Sequence, residues 1–167
     1  NNNNIYYIKG GNKMDMKEKE LQTVKLTIQY FKGRGFWKKE VKEQELHMGL
    51  YLHDLMDVWG VKVNLVLKFD DSVNGAMTGG GNFQPHTNTI FLYKASLMTA
   101  LHEFKHVIRC AYPMYNKGIS EEDAVSWSHT VFYLAMPRLY QQSLDKGYFI
   151  HILDTPYFTL NASDIVQ

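Results

Sequence analysis

The chain has 167 residues, 45% hydrophobic and 21% charged, which is typical of one globular domain whose core needs no disulfide. Its formal net charge of +1 gives no electrostatic reason to expect a nucleic acid or an anionic membrane as partner. The single cysteine, Cys110, excludes an internal disulfide, and no apolar run reaches the roughly eighteen residues of a membrane-spanning helix. We therefore expect a cytoplasmic protein.

The amino-terminal residues have the composition of a lead-in to the domain. Residues 1–19 begin with four Asn and include Gly10-Gly11 and a charged stretch, so we expect them to be poorly ordered. Residues 20–167 are then a single domain. From Leu21 to Phe31 apolar and polar residues alternate, which predicts a half-buried strand.

A helix and the clearest strand of the chain come next. Between about residues 39 and 58, apolar positions recur at helical spacing, and Gly60 marks the end of the predicted helix. These positions are Leu46, Leu50, His53 or Leu52, and Met56. From Val61 to Phe69 the alternation returns and predicts a strand.

A glycine run follows a segment rich in turn residues, 70–75. Gly79-Gly80-Gly81 is not followed by the Gly-Lys-Ser/Thr of a phosphate loop, so we interpret it as a bulged or closely approached strand, or as a mobile rim. Residues 85–88 predict a turn and residues 89–93 a short strand that leads into the next helix.

The central motif of the chain is His102-Glu103-Phe104-Lys105-His106, within a predicted helix over about residues 95–110. Residues four apart lie on one helix face, so His102 and His106 can bind one metal ion. Glu103 lies beside them, within reach of a water on that metal, as a general base requires. This pattern is typical of a zinc site.

The segment after the motif predicts the rest of the site. Ser120 opens a helix that runs to about Met136, with Ser120 and Asp123 as a capping box and Pro137 as its end. A further helix is predicted over 139–146 and a short strand or loop over 148–152. A catalytic zinc takes a third protein ligand, and the residues leave four candidates open: Glu121, Glu122, Asp123 and His129.

The motif and the acidic helix together resemble the zincin metallopeptidases. The likeness is to the gluzincin branch, and within it to small ImmA/IrrE-like or phage-encoded members, whose ligand helix has the pattern Glu-x-Glu-Ala-Asn-x-Phe-Ala. Residues 121–128 are similar, with Asp123 as the second acid and Trp127 as the aromatic residue. Val125 stands where these proteins have an Asn or Asp that supports the metal, so another group must orient a histidine.

The resemblance implies an α+β fold in which a small twisted mixed sheet packs on a backing helix, the motif helix and a glutamate helix. It implies Zn²⁺ held by His102, His106 and Glu121, with Glu122 as second choice. It also implies hydrolysis of peptide bonds in a protein or peptide substrate, with Glu103 as the base.

The implied mechanism also needs a strand that binds the substrate and a donor that stabilises the oxyanion. The strand over residues 89–93, if it forms the sheet edge, would pair with an extended substrate. The donor to the developing oxyanion is unranked among five candidates: Tyr112, Tyr115, Tyr133, Tyr148 and His151. The alternative function is a non-catalytic zincin-like interaction or regulatory module, with structural zinc or none.

Overall fold

The computed structural model describes residues 14–149 and 154–166. The helices and strands confirm the predicted α+β class. They are α1 (Met16–Phe31), α2 (Val41–Trp59), β1 (Asn64–Leu67), α3 (Ser72–Thr78), β2 (Gly81–Gln84), β3 (Thr89–Leu92), α4 (Leu97–Ala111), α5 (Ser120–Ala135), α6 (Pro137–Asp145) and α7 (Ala162–Ile165). No helix within these ranges combines the length and apolar character needed to cross a bilayer.

The three strands form one mixed sheet in the order β1-β3-β2. β3 pairs in parallel with β1 and antiparallel with β2, so that Ile90 lies between Leu65 and Phe83. The idea that residues 89–93 form the sheet edge is therefore wrong. Ile90 and Leu92 are fully buried, as suits a central strand, and the edge that packs against α4 is β2.

The predicted strand over Leu21–Phe31 is also wrong, because this segment belongs to α1. Val24, Thr27 and Phe31 are spaced at three and four residues and are all buried, which is a helical face. The Thr27 hydroxyl bonds to the Thr23 carbonyl at 2.8 Å, which accommodates a β-branched residue within the helix. Tertiary burial thus outweighs the local strand preference of the Thr and Val residues.

The start of α1 revises the predicted lead-in. Asp15 caps the helix by accepting a hydrogen bond from the Glu18 amide at 2.8 Å, so residues 16–19 are helical. Residues 1–13 lie outside the described part of the chain.

The predicted helix over 39–58 is confirmed as α2, which ends at Gly60 in a left-handed conformation with φ 63°. Its buried face agrees with the expected one only in part. Leu52 and Met56 are buried as the predicted spacing requires, but Leu46 and Leu50 are 66% and 52% exposed, and Met48, Leu55 and Trp59 face the core as well. Because α2 carries more apolar residues than the core can bury, apolar spacing alone does not identify which face of the helix is buried.

The segments around the glycine run position the sheet. Residues 72–78 form α3, which begins within the segment 70–75 where turns were expected. The interpretation of a closely approached strand is confirmed at Gly81, since a Cβ there would lie 2.7 Å from the carbonyl oxygen of Phe91. The predicted turn at residues 85–88 and the strand after it are also present.

The core lies where α1, α2, α4 and α5 meet. Its largest fully buried side chains include Trp59 and Trp127, whose ring centroids are 6.1 Å apart at an interplanar angle of 73°. The Trp59 indole N–H donates to the Thr23 hydroxyl at 2.9 Å, so its polar atom is satisfied. This contact joins α2 to α5 within the core.

Candidate metal centre

The motif lies on α4, as predicted, and α4 has two different faces. Ser96 caps the helix by accepting from the Thr99 amide at 3.2 Å. One face is an apolar stripe that is buried and anchors the helix in the core: Leu97, Leu101, Phe104 and Ile108. His102 and His106 project from another face, with ring centroids 5.0 Å apart.

The first turn of α5 brings one acid to both histidines. Glu121 Oε2 lies 3.1 Å from His102 Nε2, and Glu121 Oε1 lies 3.0 Å from His106 Nε2. Among the described residues these three side chains form a group whose candidate ligand atoms all lie within 4.8 Å of one another. The Glu121 side chain is 73% exposed, so it closes the group from the solvent side.

The other candidates for the third ligand are placed differently. The carboxylate of Asp123 points into the α4–α5 interface, where it pairs with Lys105. His129 is buried, with its Nδ1 2.8 Å from the Tyr140 hydroxyl. Glu122 is exposed and is not part of the group formed with the two histidines.

The donor set and its spacing fit a zinc ion. Two imidazole nitrogens and one carboxylate are a common protein ligand set for catalytic zinc. Ligands about 2.0–2.1 Å from a tetrahedral metal are about 3.3 Å from one another, close to the two nitrogen-to-oxygen distances found here. The same distances also suit hydrogen bonds between Glu121 and the imidazoles.

Glu103 is the second carboxylate of the centre. Its Oε1 lies 4.0 Å from His102 Nε2, and the residue is 8% exposed. Burial and then the charge of Glu121 raise the pKa of Glu103 to about 7, against a hydrogen bond from the Phe83 amide that lowers it. A carboxyl with a pKa near neutrality can both accept and return a proton.

His106 is oriented by a group that the sequence analysis assigned elsewhere. The Ser120 hydroxyl lies 3.1 Å from His106 Nδ1, on the side of the ring away from Glu121. The predicted capping box is wrong, because α5 is capped at Ile119 without a side-chain bond and Asp123 accepts from other donors. Ser120 thus offers the histidine support that Val125 cannot.

A buried ionic group fixes α5 on α4. Lys105 Nζ lies 2.6 Å from Asp123 Oδ2, and the two side chains are 0% and 1% exposed. The other Asp123 oxygen accepts from the Lys117 amide at 2.7 Å and from the Tyr157 hydroxyl at 2.6 Å. We call these four residues the Asp123 cluster. Because Glu121 is two residues from Asp123, the cluster sets where Glu121 meets the histidines.

Sequence reasoning missed the role of Lys105. The one signal was a lysine inside the motif, three residues after His102 and next to the apolar stripe, where a solvated lysine is not expected. Its partner Asp123 was considered as a ligand instead.

The centre opens into a cleft of about 870 Å³. One face of α5 lines it, with Glu121, Val125, Ser128, His129 and Phe132, and Trp37, Gly81 and Phe149 contribute from other segments. A cavity of this size suits a peptide segment.

Of the five candidate oxyanion donors, Tyr148 also lines this cleft. The hydroxyls of Tyr112 and Tyr115 bond to the Trp59 carbonyl and to Glu20, respectively. His151 lies outside the described residues.

Comparison of the chain with protein-family models, curated proteins and solved structures gives no match. The functional argument therefore depends on the geometry of this centre.

Proposed function

We propose that the protein is a zinc-dependent metallopeptidase with a zincin-like arrangement. One observation carries the proposal: His102, His106 and Glu121 converge within 4.8 Å at the edge of a cleft, next to the buried carboxyl of Glu103. Three ligands and an adjacent base on an open cleft are what metal-assisted hydrolysis requires, whereas a purely structural zinc usually has four protein ligands.

Each residue has a distinct role in this proposal. His102, His106 and Glu121 hold the zinc, which when bound supplies Lewis-acid activation of a water molecule and of the substrate carbonyl. Glu103 accepts the proton of the attacking water and returns it to the leaving nitrogen, a role that suits a carboxyl whose Oε1 lies 4.0 Å from Nε2 of His102. Ser120 keeps the His106 ring oriented.

The substrate binds in extended form along β2. This strand is the sheet edge on the α4 side, and its first residue, Gly81, lines the cleft together with Gly79 just before it. Strand addition at such an edge supplies main-chain hydrogen bonds that do not depend on sequence.

Metal analysis is the first test. Purified protein should contain about one zinc per chain, and His106→Ala should lose it. His53→Ala, which removes an exposed histidine from α2, is the matched control and should keep it. Absence of zinc from the wild type after zinc is supplied would refute the proposed metal centre.

Turnover is the second test. Zinc-loaded protein should cleave an unfolded protein substrate, with new termini identified by mass spectrometry. Glu103→Gln should keep the zinc and lose about 10²–10⁴-fold in rate. Stoichiometric zinc without cleavage of any substrate would support instead the non-catalytic module with a structural metal.

A further inference from the structure

The charges that line the cleft are arranged unevenly. Among the described residues of its lining, the carboxylates are Glu103 and Glu121, both at the metal centre. The basic side chains Arg34 and Lys146 line the same cleft from other segments. A bound zinc ion would offset the two acids, so the charge left for a substrate to meet is positive.

The two basic residues share one rim. Arg34, in the segment after α1, donates a hydrogen bond to the side-chain oxygen of Gln142 on α6. Lys146 follows Gln142 by one helical turn, and its amide bonds to the Gln142 carbonyl at 3.1 Å. Arg34 therefore lies against α6 one turn before Lys146, although the two residues are 112 positions apart in the sequence.

Neither cation is neutralised within the described ranges. No carboxylate there lies within 4.0 Å of Arg34 or of Lys146. The nearest acid in sequence, Asp145, accepts from Gln141 at 2.9 Å and does not line the cleft. Two cations that line one cleft without a counter-charge favour an anionic ligand there.

The length of the cleft suits a short peptide. The lining face of α5 runs from Glu121 to Phe132, which at 1.5 Å per residue is about 16 Å. An extended peptide covers that distance with about five residues. Apolar groups lie along the way, since Phe132 and Phe149 line the cleft with ring centroids 5.6 Å apart.

We propose that this cleft selects acidic peptides, with Arg34 and Lys146 binding an Asp or Glu side chain of the substrate. This inference builds on the proposed function, because it assigns the substrate class of the same cleft. The two cations act as specificity determinants and take no part in bond cleavage.

Peptide binding tests the inference separately from catalysis. The probes are end-blocked hexapeptides of Ala and Phe, labelled with an uncharged dye, in which one Glu is moved through every position. Each probe has a counterpart with Gln in place of Glu. Fluorescence anisotropy measures their affinities for the Glu103→Gln protein, with zinc and after removal of metal.

At one or more positions Glu should bind about 3- to 10-fold more tightly than Gln, as expected for two exposed charge pairs. The preference should disappear when Arg34→Gln and Lys146→Gln are added together and should weaken at high salt. The control pair Lys17→Gln and Lys62→Gln removes two exposed cations outside the cleft lining and should leave the preference unchanged.

Several results would overturn the inference. They are equal affinity for Glu and Gln at every position, a preference that survives in the Arg34 and Lys146 variant, and no measurable binding of any probe. The proposed hydrolysis fails independently, when the protein holds no zinc or cleaves nothing. A Glu preference in a protein that cleaves nothing would leave an acidic-peptide binding cleft without the peptidase.

Discussion

Removal of the Asp123 charge should destabilise the protein far more than removal of its partner. In Asp123→Asn, Lys105 stays buried without its counter-charge, and within the described residues its remaining side-chain acceptor is the Asn116 oxygen at 3.2 Å. The Lys117 amide and Tyr157 hydroxyl also lose their ionised acceptor. A buried charge left without its counter-charge costs about 3–5 kcal/mol of unfolding free energy.

Removal of Lys105 should cost less unfolding free energy than removal of the Asp123 charge, because Asp123 keeps other donors. In Lys105→Met the carboxylate keeps the Tyr157 and Lys117 donors, and Arg109 lies 3.3 Å away. The loss should be about 1–3 kcal/mol, the contribution of a charged hydrogen bond. Asp70→Asn, at an exposed aspartate, is the matched control and should change stability by about 0.5 kcal/mol or less.

Urea unfolding followed by far-ultraviolet circular dichroism measures these differences. Burial by itself raises the pKa of Asp123, but its hydrogen bonds from Lys105, Tyr157 and Lys117 prevail and leave it below the ordinary 3.8. The folded state therefore binds fewer protons than the unfolded state in this range. The stability contributed by Asp123 is present above about pH 4 and is lost as the pH falls through the lower, folded-state pKa.

The difference in unfolding free energy between wild type and Asp123→Asn should accordingly be constant near neutral pH and become smaller in acid. The reasoning is refuted if Asp123→Asn loses no more stability than Asp70→Asn, or if Lys105→Met costs as much as Asp123→Asn.

Three further predictions follow from the packing and the centre. Gly81→Ala should lose about 1–3 kcal/mol of unfolding free energy, because the new Cβ would lie 2.7 Å from a backbone carbonyl oxygen. The control Gly35→Ala places its Cβ in open space and should not destabilise the protein, as chemical denaturation of both variants would show. Ser120→Ala should weaken zinc binding about 10-fold or more, because the Ser120 hydroxyl orients the His106 ring. Competition with a chelator measures this affinity, and an unchanged value would contradict the role of the hydroxyl. Burial, and then the charge of Glu121, raises the pKa of Glu103 to about 7, so the folded, metal-free protein keeps an extra proton between pH 4.5 and 7. The contribution of Glu103 to stability should therefore fall as the pH rises through this range, and urea unfolding should show wild type losing stability relative to Glu103→Gln; a constant difference would contradict the raised pKa.

The sequence was most informative where one helix carries both packing and chemistry. In α4 the apolar stripe and the His102, His106 pair have the same 3.6-residue period, so each supports the other. The helix, its two faces and the position of Glu103 beside the histidines were predictable for that reason.

Prediction was weaker where the apolar residues of one segment fit both the helical period and the two-residue period of a strand. In the segment that forms α1, Val24 and Phe31 satisfy a helical spacing, while the residues between also alternate as in a strand. Only the burial of that face against α2 and α5 decides between them, and this contact is between segments distant in the chain.

The choice among the candidates for the proposed third ligand needed tertiary information as well. Glu121 and Asp123 both lie in the first turn of α5, and their spacing alone does not say which one faces the histidines. The pairing of Asp123 with Lys105 turns that acid inward and leaves Glu121 at the centre.

The three tryptophans of the chain lie in places that make them separate optical reporters. Trp59 and Trp127 are fully buried and in edge-to-face contact, so their coupled near-ultraviolet circular dichroism reflects an intact core. Trp37 is partly exposed and lines the cleft, with its indole N–H bonded to the Ala95 carbonyl at 3.0 Å. A ligand that enters the cleft should change the emission of Trp37 while the dichroism of the pair stays constant, so that occupancy and unfolding are distinguished in one unlabelled sample.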